Sequence, residues 1–165
     1  MNKLHHIFTS FTLIVFMLGC GDETNPTIAS VVGQVVRTAP ASENLASTGT
    51  LYVSLFKSDP IRGGADSDTP VAVMKIDDVN LSAPGEMLSF ELSDIPVRQE
   101  PYFLTAVYDA NQNLDQMTPP GPDDGDVVAL NGVQSPSIVV DRASVEALIE
   151  LNFECSGGIC SVPSN

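Results

Sequence analysis

Oxygen-bearing side chains occupy every second position of one stretch late in the chain, and this is the pattern best suited to chemistry. They are Asp109, Asn111, Asn113 and Asp115. Carboxylate and amide oxygens are the ligands that Ca²⁺ prefers, because this hard cation takes about six to eight oxygens at about 2.3–2.6 Å. A loop with such side chains at alternate positions can direct them at one point, so the spacing predicts a calcium site.

Three further carboxylates follow in the same loop, after the Pro-Pro-Gly sequence at 119–121. We predict that Asp124 and Asp126 complete the ligand set, with Asp123 beside them. The segment from 109 to 126 then holds five acids, which repel one another unless a cation lies between them. The alternative is a plain polar loop, since Asp and Asn commonly support turns by hydrogen bonding to their own backbone.

The phrase Asp-x-Asn-x-Asn that begins at Asp109 resembles the opening of an EF-hand calcium loop. This resemblance implies Ca²⁺ as the cofactor, with oxygen ligands from the alternate positions. The sequence departs from the EF-hand at Leu114, where that loop has glycine, and it lacks the flanking helical patterns and the closing glutamate. We therefore expect a calcium loop on a different scaffold.

The sequence offers no catalytic constellation. Its two histidines, His5 and His6, lie in an N-terminal segment that we expect to be removed, so a serine nucleophile has no histidine base. Adjacent acids such as Asp77 and Asp78 point to opposite faces of a strand and cannot flank one bond. Glycine-rich phosphate-binding motifs are also absent. We predict a protein that is not an enzyme.

Short strands must position these residues, because apolar side chains recur with period two between clusters of Pro, Gly, Ser and Asp. The length of 165 residues suits one domain. The predicted strands cover residues 30–38, 50–57, 71–77, 87–93, 102–109, 127–130, 137–140 and 145–153. This series predicts an all-β protein, a single antiparallel β-sandwich of about seven strands over residues 30–154.

Three of these segments carry more specific expectations. Gly33 interrupts the first apolar face and indicates a bulge or a close backbone approach. The strand at 102–109 is apolar on both sides, which indicates a central position in its sheet. Residues 145–153 alternate without a break, which favours a strand, although their Ala, Leu and Glu content also suits a helix.

The segments between residues 30 and 110 follow a recognisable order. A Gly-x-Val strand precedes Leu-Tyr-Val-Ser-Leu at 51–55, Ile-Pro at 95–96 and Pro-Tyr-Phe-Leu-Thr-Ala-Val-Tyr-Asp at 101–109. This order resembles transthyretin-like and carboxypeptidase-regulatory-like β-sandwich modules. The resemblance implies an immunoglobulin-like or prealbumin-like fold and no activity, since the hydrolases of that fold use histidines that the expected mature chain lacks.

The N-terminus carries a largely apolar run at residues 7–18 after a short polar start. A permanent membrane-spanning helix needs about 20 residues, so this run is too short to be one and is typical of a signal peptide. It ends in Met17-Leu18-Gly19-Cys20, which resembles the lipobox of bacterial lipoproteins except that Met17 replaces the usual leucine. The resemblance implies that residues 1–19 are removed and that Cys20 carries lipid.

Residues 20–29 are then expected to form a flexible tether that anchors the protein to a membrane of the cell envelope. One alternative is an ordinary signal peptide with an incidental cysteine. Another is an N-terminal anchor that stays uncut. The residues after Cys20 do not distinguish the inner from the outer membrane.

Two cysteines remain once Cys20 is assigned to lipid. Cys155 and Cys160 can pair with each other, because Gly157 and Gly158 between them allow the tight turn of a short disulfide loop. Export to an oxidising compartment favours this pairing, which gives a disulfide-closed tail at residues 155–165. A redox-active or metal-binding pair is disfavoured, because four residues separate the cysteines and no histidine accompanies them.

The net charge of −14 reflects 7 Lys and Arg against 21 Asp and Glu. Removal of residues 1–19 takes away Lys3, which leaves 6 basic against 21 acidic side chains, or −15. This balance excludes a nucleic-acid partner, because affinity for phosphates depends mostly on Lys and Arg. An acidic surface suits a cationic partner or a metal ion, although it also simply keeps a protein soluble.

These features together predict a membrane-anchored lipoprotein of the cell envelope that acts as a non-catalytic binding or structural module, stabilised by Ca²⁺. The partner is expected to be a protein or a glycan, and its identity stays open. The alternative is an accessory or assembly subunit of an envelope complex. Such a subunit would bind its partner through a sheet edge or through the face that carries Tyr52 and Phe56.

Overall fold

A computed structural model describes residues 26–40, 47–63, 66–112, 114 and 122–156. The predicted all-β sandwich is confirmed: these residues form two sheets, one of three strands and one of six. No helix within these ranges is long and apolar enough to cross a membrane. The strands are β1 Ile28–Arg37, β2 Gly49–Phe56, β3 Ala72–Val79, β4 Met87–Pro96, β5 Tyr102–Asp109, β6 Val127–Val128, β7 Ser137–Ile138, β8 Ser144–Leu151 and β9 Phe153–Glu154.

The smaller sheet has the order β4-β1-β8, and the larger has the order β3-β2-β5-β6-β9, with β7 also paired to β5. One pairing differs from the purely antiparallel prediction. β1 and β8 run parallel over eight residue pairs, and the backbone NH of Ser30 already donates to the carbonyl of Ala143, 2.9 Å away. β7 lies in the larger sheet, so the chain crosses between the sheets before it forms β8. After this crossing β8 can run in the same direction as β1.

The alternation of side chains predicted for the strands is confirmed where one strand face is exposed. In β4, Phe90 and Leu92 are buried in the core while Glu91 and Ser93 are exposed. β8 follows the same rule, with its core positions at Val145, Ile149 and Leu151. The alternation of apolar and polar residues therefore predicted correctly which face of these strands lies against the opposite sheet.

The predicted central position of β5 is also confirmed, because β5 has β2 on one side and β6 and β7 on the other. β2 lies between β3 and β5, and all eight of its residues are buried. This burial contradicts the expectation that Tyr52 and Phe56 form a face for a partner, since they are only 9 % and 0 % exposed. These two side chains therefore do not form an exposed surface for a partner.

Two close contacts fix the strands, one between the two sheets and one within the smaller sheet. Tyr102, at the start of β5, donates its hydroxyl to the carbonyl of Pro96 at the end of β4, 2.7 Å away. This is the geometry of a tyrosine corner, which fixes the crossing between the sheets of a sandwich. At Gly33 a Cβ atom would overlap the carbonyl oxygen of Ala147, so the predicted close backbone approach is present.

The predicted strand at 145–153 divides between the two sheets. β8 ends at Leu151, and Asn152 then donates its backbone NH to the carbonyl of Val128, 3.1 Å away. Phe153 begins β9 in the larger sheet and is 37 % exposed, so it does not continue the buried face of β8. The prediction of one unbroken strand was wrong at this point.

A buried arginine closes the end of the sandwich where β1 terminates. Arg37 donates to the carbonyls of Ala39, Leu81 and Pro40 at 3.2, 3.1 and 2.7 Å. Its guanidinium also lies 3.6 Å from the carboxylate of Glu154 in β9. Burial lowers the pKa of Arg37 and the nearby Glu154 opposes this effect. Arg37 therefore connects the first strand to the last.

Candidate metal site

Strand pairing brings two acids together at the end of the larger sheet. Asp109 is the last residue of β5 and Asp126 directly precedes β6. In the antiparallel pairing, Tyr108 lies opposite Val127. Asp109 follows Tyr108 and Asp126 precedes Val127, so the two acids lie at the same end of this strand pair. Both side chains are buried, with 1 % exposure for Asp109 and 0 % for Asp126.

Asp126 is the most unusual carboxylate in the described chain. Its Oδ2 accepts a hydrogen bond from the backbone NH of Asp123 at 2.9 Å, whereas its buried Oδ1 has no hydrogen-bond partner. The pKa of Asp126 is raised to about 7, chiefly by burial and in addition by the nearby charges of Asp109 and Asp123. The hydrogen bond from the backbone NH of Asp123 and the nearby NH of Ala110 act in the opposite direction.

Asp109 shapes the first half of the loop. Its Oδ2 accepts a hydrogen bond from the backbone NH of Leu114, 3.2 Å away. The turn also passes through Gln112, whose φ of 54° is left-handed and whose side chain donates to the carbonyl of Thr48 at 3.3 Å. These contacts hold residues 109–112 and 114 close to the end of β5.

Asn111 joins the two halves of the loop. Its Nδ2 donates to the Oδ1 of Asp123 at 3.2 Å and to the carbonyl of Asp124 at 2.9 Å. The second half is a tight turn, with the NH of Asp126 bonded to the carbonyl of Asp123 at 3.2 Å and with Gly125 at a φ of 99°. Only glycine adopts such a φ without strain.

Four of the six predicted ligands lie in the described part of this loop. These are Asp109, Asn111, Asp124 and Asp126; the other two, Asn113 and Asp115, lie outside the described residues. In the described ranges, no three His, Cys, Asp or Glu side chains form a group that could hold a metal ion. A cation here would need amide or carbonyl oxygens in addition to the carboxylates.

The existing contacts show what a cation would have to change. Asn111 now directs its amide NH₂ at Asp123, and it would have to present Oδ1 to act as a ligand. Asp124 offers its backbone carbonyl to Asn111, and carbonyl oxygens are ordinary calcium ligands. Asp123, which the sequence analysis placed beside the ligand set, makes direct contact with Asn111.

Cys155 lies directly beneath this loop. Its NH donates to the carbonyl of Asp126 at 2.8 Å, and its carbonyl accepts from the NH of Gly125 at 3.0 Å. Its side chain is buried in a small apolar cluster with Val107 and Val128. The predicted partner, Cys160, and the predicted lipidation site, Cys20, lie outside the described residues.

A second buried acid lies at another turn and was missed in the sequence analysis. Asp59 is 6 % exposed, and its Oδ1 accepts from the NH groups of Ile61 at 3.0 Å and Ser135 at 3.3 Å. Its Oδ2 is 3.8 Å from Nε of Arg62. The Asp-Pro sequence at 59–60 was the available signal, because Asp before Pro favours a turn. Asp59 holds two loops together.

Comparisons with known proteins give the site no further context. No family model, no curated protein and no solved structure matches the chain. The chemistry of the loop must therefore be inferred from its own atoms.

Proposed function

We propose that the chain is a membrane-anchored lipoprotein of the cell envelope, in which the β-sandwich is a non-catalytic binding or structural module stabilised by Ca²⁺. The observation that carries the calcium part is the buried Oδ1 of Asp126, which lacks a hydrogen-bond partner beside the second buried acid, Asp109. Lipid on Cys20 supplies the anchor.

The energetic case for a cation rests on desolvation. A buried carboxylate oxygen without a partner costs on the order of 1–3 kcal/mol, and more when the group is charged. Asp126 has this cost, and the charges of Asp109 and Asp123 add repulsion. A cation between Asp109 and Asp126 would offset both effects at once.

Ca²⁺ suits the loop better than Mg²⁺. Mg²⁺ requires a near-ideal octahedron at about 2.0–2.1 Å, whereas Ca²⁺ accepts a flexible set of carboxylates, amides and carbonyls. The described loop offers this mixture through Asp109, Asn111, the carbonyl of Asp124 and Asp126. Asn113 and Asp115 are proposed as the remaining ligands. The bound ion would hold the connection between β5 and β6 and would perform no reaction.

A disulfide between Cys155 and Cys160 is proposed as a second support for the same loop. Cys155 is hydrogen-bonded on both sides, to Asp126 and to Gly125. A covalent link there would fix the backbone beneath the two acids. Reduction of the disulfide is therefore expected to weaken calcium binding as well as to lower stability.

Thermal unfolding of the full chain in a neutral detergent tests the calcium site. Bound Ca²⁺ at 100 times its Kd adds about 2.7 kcal/mol, which raises Tm by several degrees. We expect this rise with millimolar Ca²⁺, a smaller one with Mg²⁺, and none in Asp126→Asn. Asp141→Asn, at an exposed acid outside the loop, should respond as the unmodified chain does. An unchanged Tm in millimolar Ca²⁺ contradicts the proposal.

Labelling with a radioactive fatty acid in a bacterial host tests the anchor. We expect the label on the unmodified chain and on Cys155→Ala, and its loss in Cys20→Ala together with release from the membrane fraction. Labelling that persists in Cys20→Ala would show that the lipid is attached elsewhere, and an unlabelled variant that stays in the membrane fraction would show that the anchor is a retained N-terminal segment.

A further inference from the structure

The outer strand of the smaller sheet, β8, presents a hydrogen-bonding edge that no other described strand covers. In the parallel ladder, residue 30 bonds to residue 143, so the register of β1 and β8 directs the backbone of Val145, Ala147 and Ile149 towards β1. The NH and carbonyl groups of Glu146, Leu148 and Glu150 therefore point away from β1. Among the described strands, β8 pairs with β1 alone.

The other long edge strands are protected and β8 is not. β4 contains a bulge where its register with β1 shifts, at Asp94 with a φ of 58°, and it ends at Pro96. β3 contains a similar bulge at Asp78, with a φ of 57°, and carries Lys75. Bulges, proline and lysine are the usual devices that prevent a further strand from pairing.

β8 lacks each of these devices. Its eight pairs with β1 run without a register shift, and its sequence contains neither proline nor lysine. Leu148, in the middle of the edge, is 63 % exposed. A groove lined by Leu148, Gln34 and Ser89 crosses the smaller sheet and reaches Met74 of β3. The edge is straight, regular and partly apolar.

The charges of the exposed side chains determine which kind of strand can pair with β8. The exposed side chains on either side of Leu148 are Glu146 and Glu150, and Glu91 adds a third acid across the outer face. The outward positions of β4, β1 and β8 carry no Lys or Arg. Two copies of this edge would place like charges opposite each other, which is destabilising, whereas Lys or Arg opposite the glutamates is favourable.

We propose that the edge of β8 is a docking site for an extended, basic segment of a partner protein, which adds to the smaller sheet as a fourth strand. Backbone hydrogen bonds to Glu146, Leu148 and Glu150 supply the pairing. Lys or Arg at every fourth position, with an apolar residue midway, matches the two glutamates and Leu148. This surface is separate from the acid loop, so each proposal can fail without the other.

Fluorescence anisotropy with a labelled peptide tests the site on the full chain in neutral detergent. The probe is Thr-Lys-Thr-Val-Thr-Lys-Thr, blocked at both ends; its pattern is symmetric, so it matches in either strand direction. The control peptide has Glu in place of both Lys. We expect at least tenfold tighter binding of the basic peptide, and slower hydrogen exchange in the peptic fragment that contains residues 144–151.

Three variants separate strand addition from general charge attraction. Leu148→Pro removes one outward NH without removing a bond to β1, and it should weaken the basic peptide at least tenfold, whereas Leu148→Ala should change its binding less than threefold. The double variant Glu146→Lys and Glu150→Lys changes exposed side chains alone and should prefer the acidic peptide.

Three results would overturn the proposal. The first is no binding of the basic peptide at millimolar concentration. The second is binding that protects other strands from exchange, and the third is an unchanged peptide preference in the charge-reversed double variant. The third result can be obtained even if Leu148→Pro does not fold.

Discussion

Replacing Asp126 with asparagine should stabilise the metal-free protein at alkaline pH. Burial holds the pKa of Asp126 at about 7, instead of 3.8. A carboxyl group whose pKa is raised by folding adds stability below its unfolded pKa, and this stability is lost as the pH rises through the folded pKa. The metal-free protein should therefore become less stable between about pH 4 and pH 8, and asparagine, which never ionises, should not contribute to that loss.

The magnitude follows from the same pKa. One pKa unit corresponds to about 1.36 kcal/mol, so a pKa near 7 sets an upper bound of about 4 kcal/mol. Rearrangement of the turn at Asp124 and Gly125 should reduce the gain in stability. We therefore expect Asp126→Asn to be about 2 kcal/mol more stable than the native chain at pH 8. Asparagine keeps an oxygen for the NH of Asp123 and offers its NH₂ to the neighbouring acids.

Urea denaturation in EDTA, followed by circular dichroism at pH 5 and pH 8, measures this difference. We expect the variant to be about 2 kcal/mol more stable at pH 8, with the gap much smaller at pH 5, where the native carboxyl group is mostly neutral. Millimolar Ca²⁺ at pH 8 should reverse the order. A variant less stable than the native chain in EDTA at pH 8 would show that the carboxylate at 126 is not strained, and the argument for a cation would fail with it.

Three other substitutions test the scaffold by the same urea assay. Gly33→Ala should cost at least about 3 kcal/mol or prevent folding, because its methyl group would overlap the carbonyl of Ala147. A loss below 1 kcal/mol would mean that the two strands separate easily. Tyr102→Phe should cost about 1 kcal/mol through the lost bond to Pro96; no loss would mean that the corner is redundant. Arg37→Met should cost about 2–4 kcal/mol, because three carbonyls lose their donor. An equal or greater stability of Arg37→Met would show that apolar packing alone closes that end.

The faces of the strands could be predicted from the sequence because period two is a local property of an extended chain. Leu92 and Ile149 are buried because they belong to rows of apolar residues at every second position of β4 and β8. Gly33 was also predictable, since a strand tolerates glycine best where another backbone comes close. The parallel pairing of β1 with β8 was not predictable, because it depends on how a distant connection crosses the sandwich.

The candidate site was predicted in part. Alternate oxygen positions after β5 located the loop, and the antiparallel pairing of β5 with β6 then brought Asp126 beside Asp109. The hydrogen bonds of Asn111 were beyond the sequence, because they depend on the turn at Gly125. Asp59 was missed for a similar reason: its partner Ser135 is 76 residues away.

The parallel neighbours β1 and β8 also determine when this chain can fold. The first described strand, β1, pairs with β8, which ends at Leu151, so the smaller sheet cannot close until residue 151 is present. Contacts of such long sequence separation form late and slowly. In a chain exported N-terminus first, β1 could pair with β4 early, but its other edge would stay open until β8 emerged. The smaller sheet would therefore reach its full width only after residue 151 had crossed.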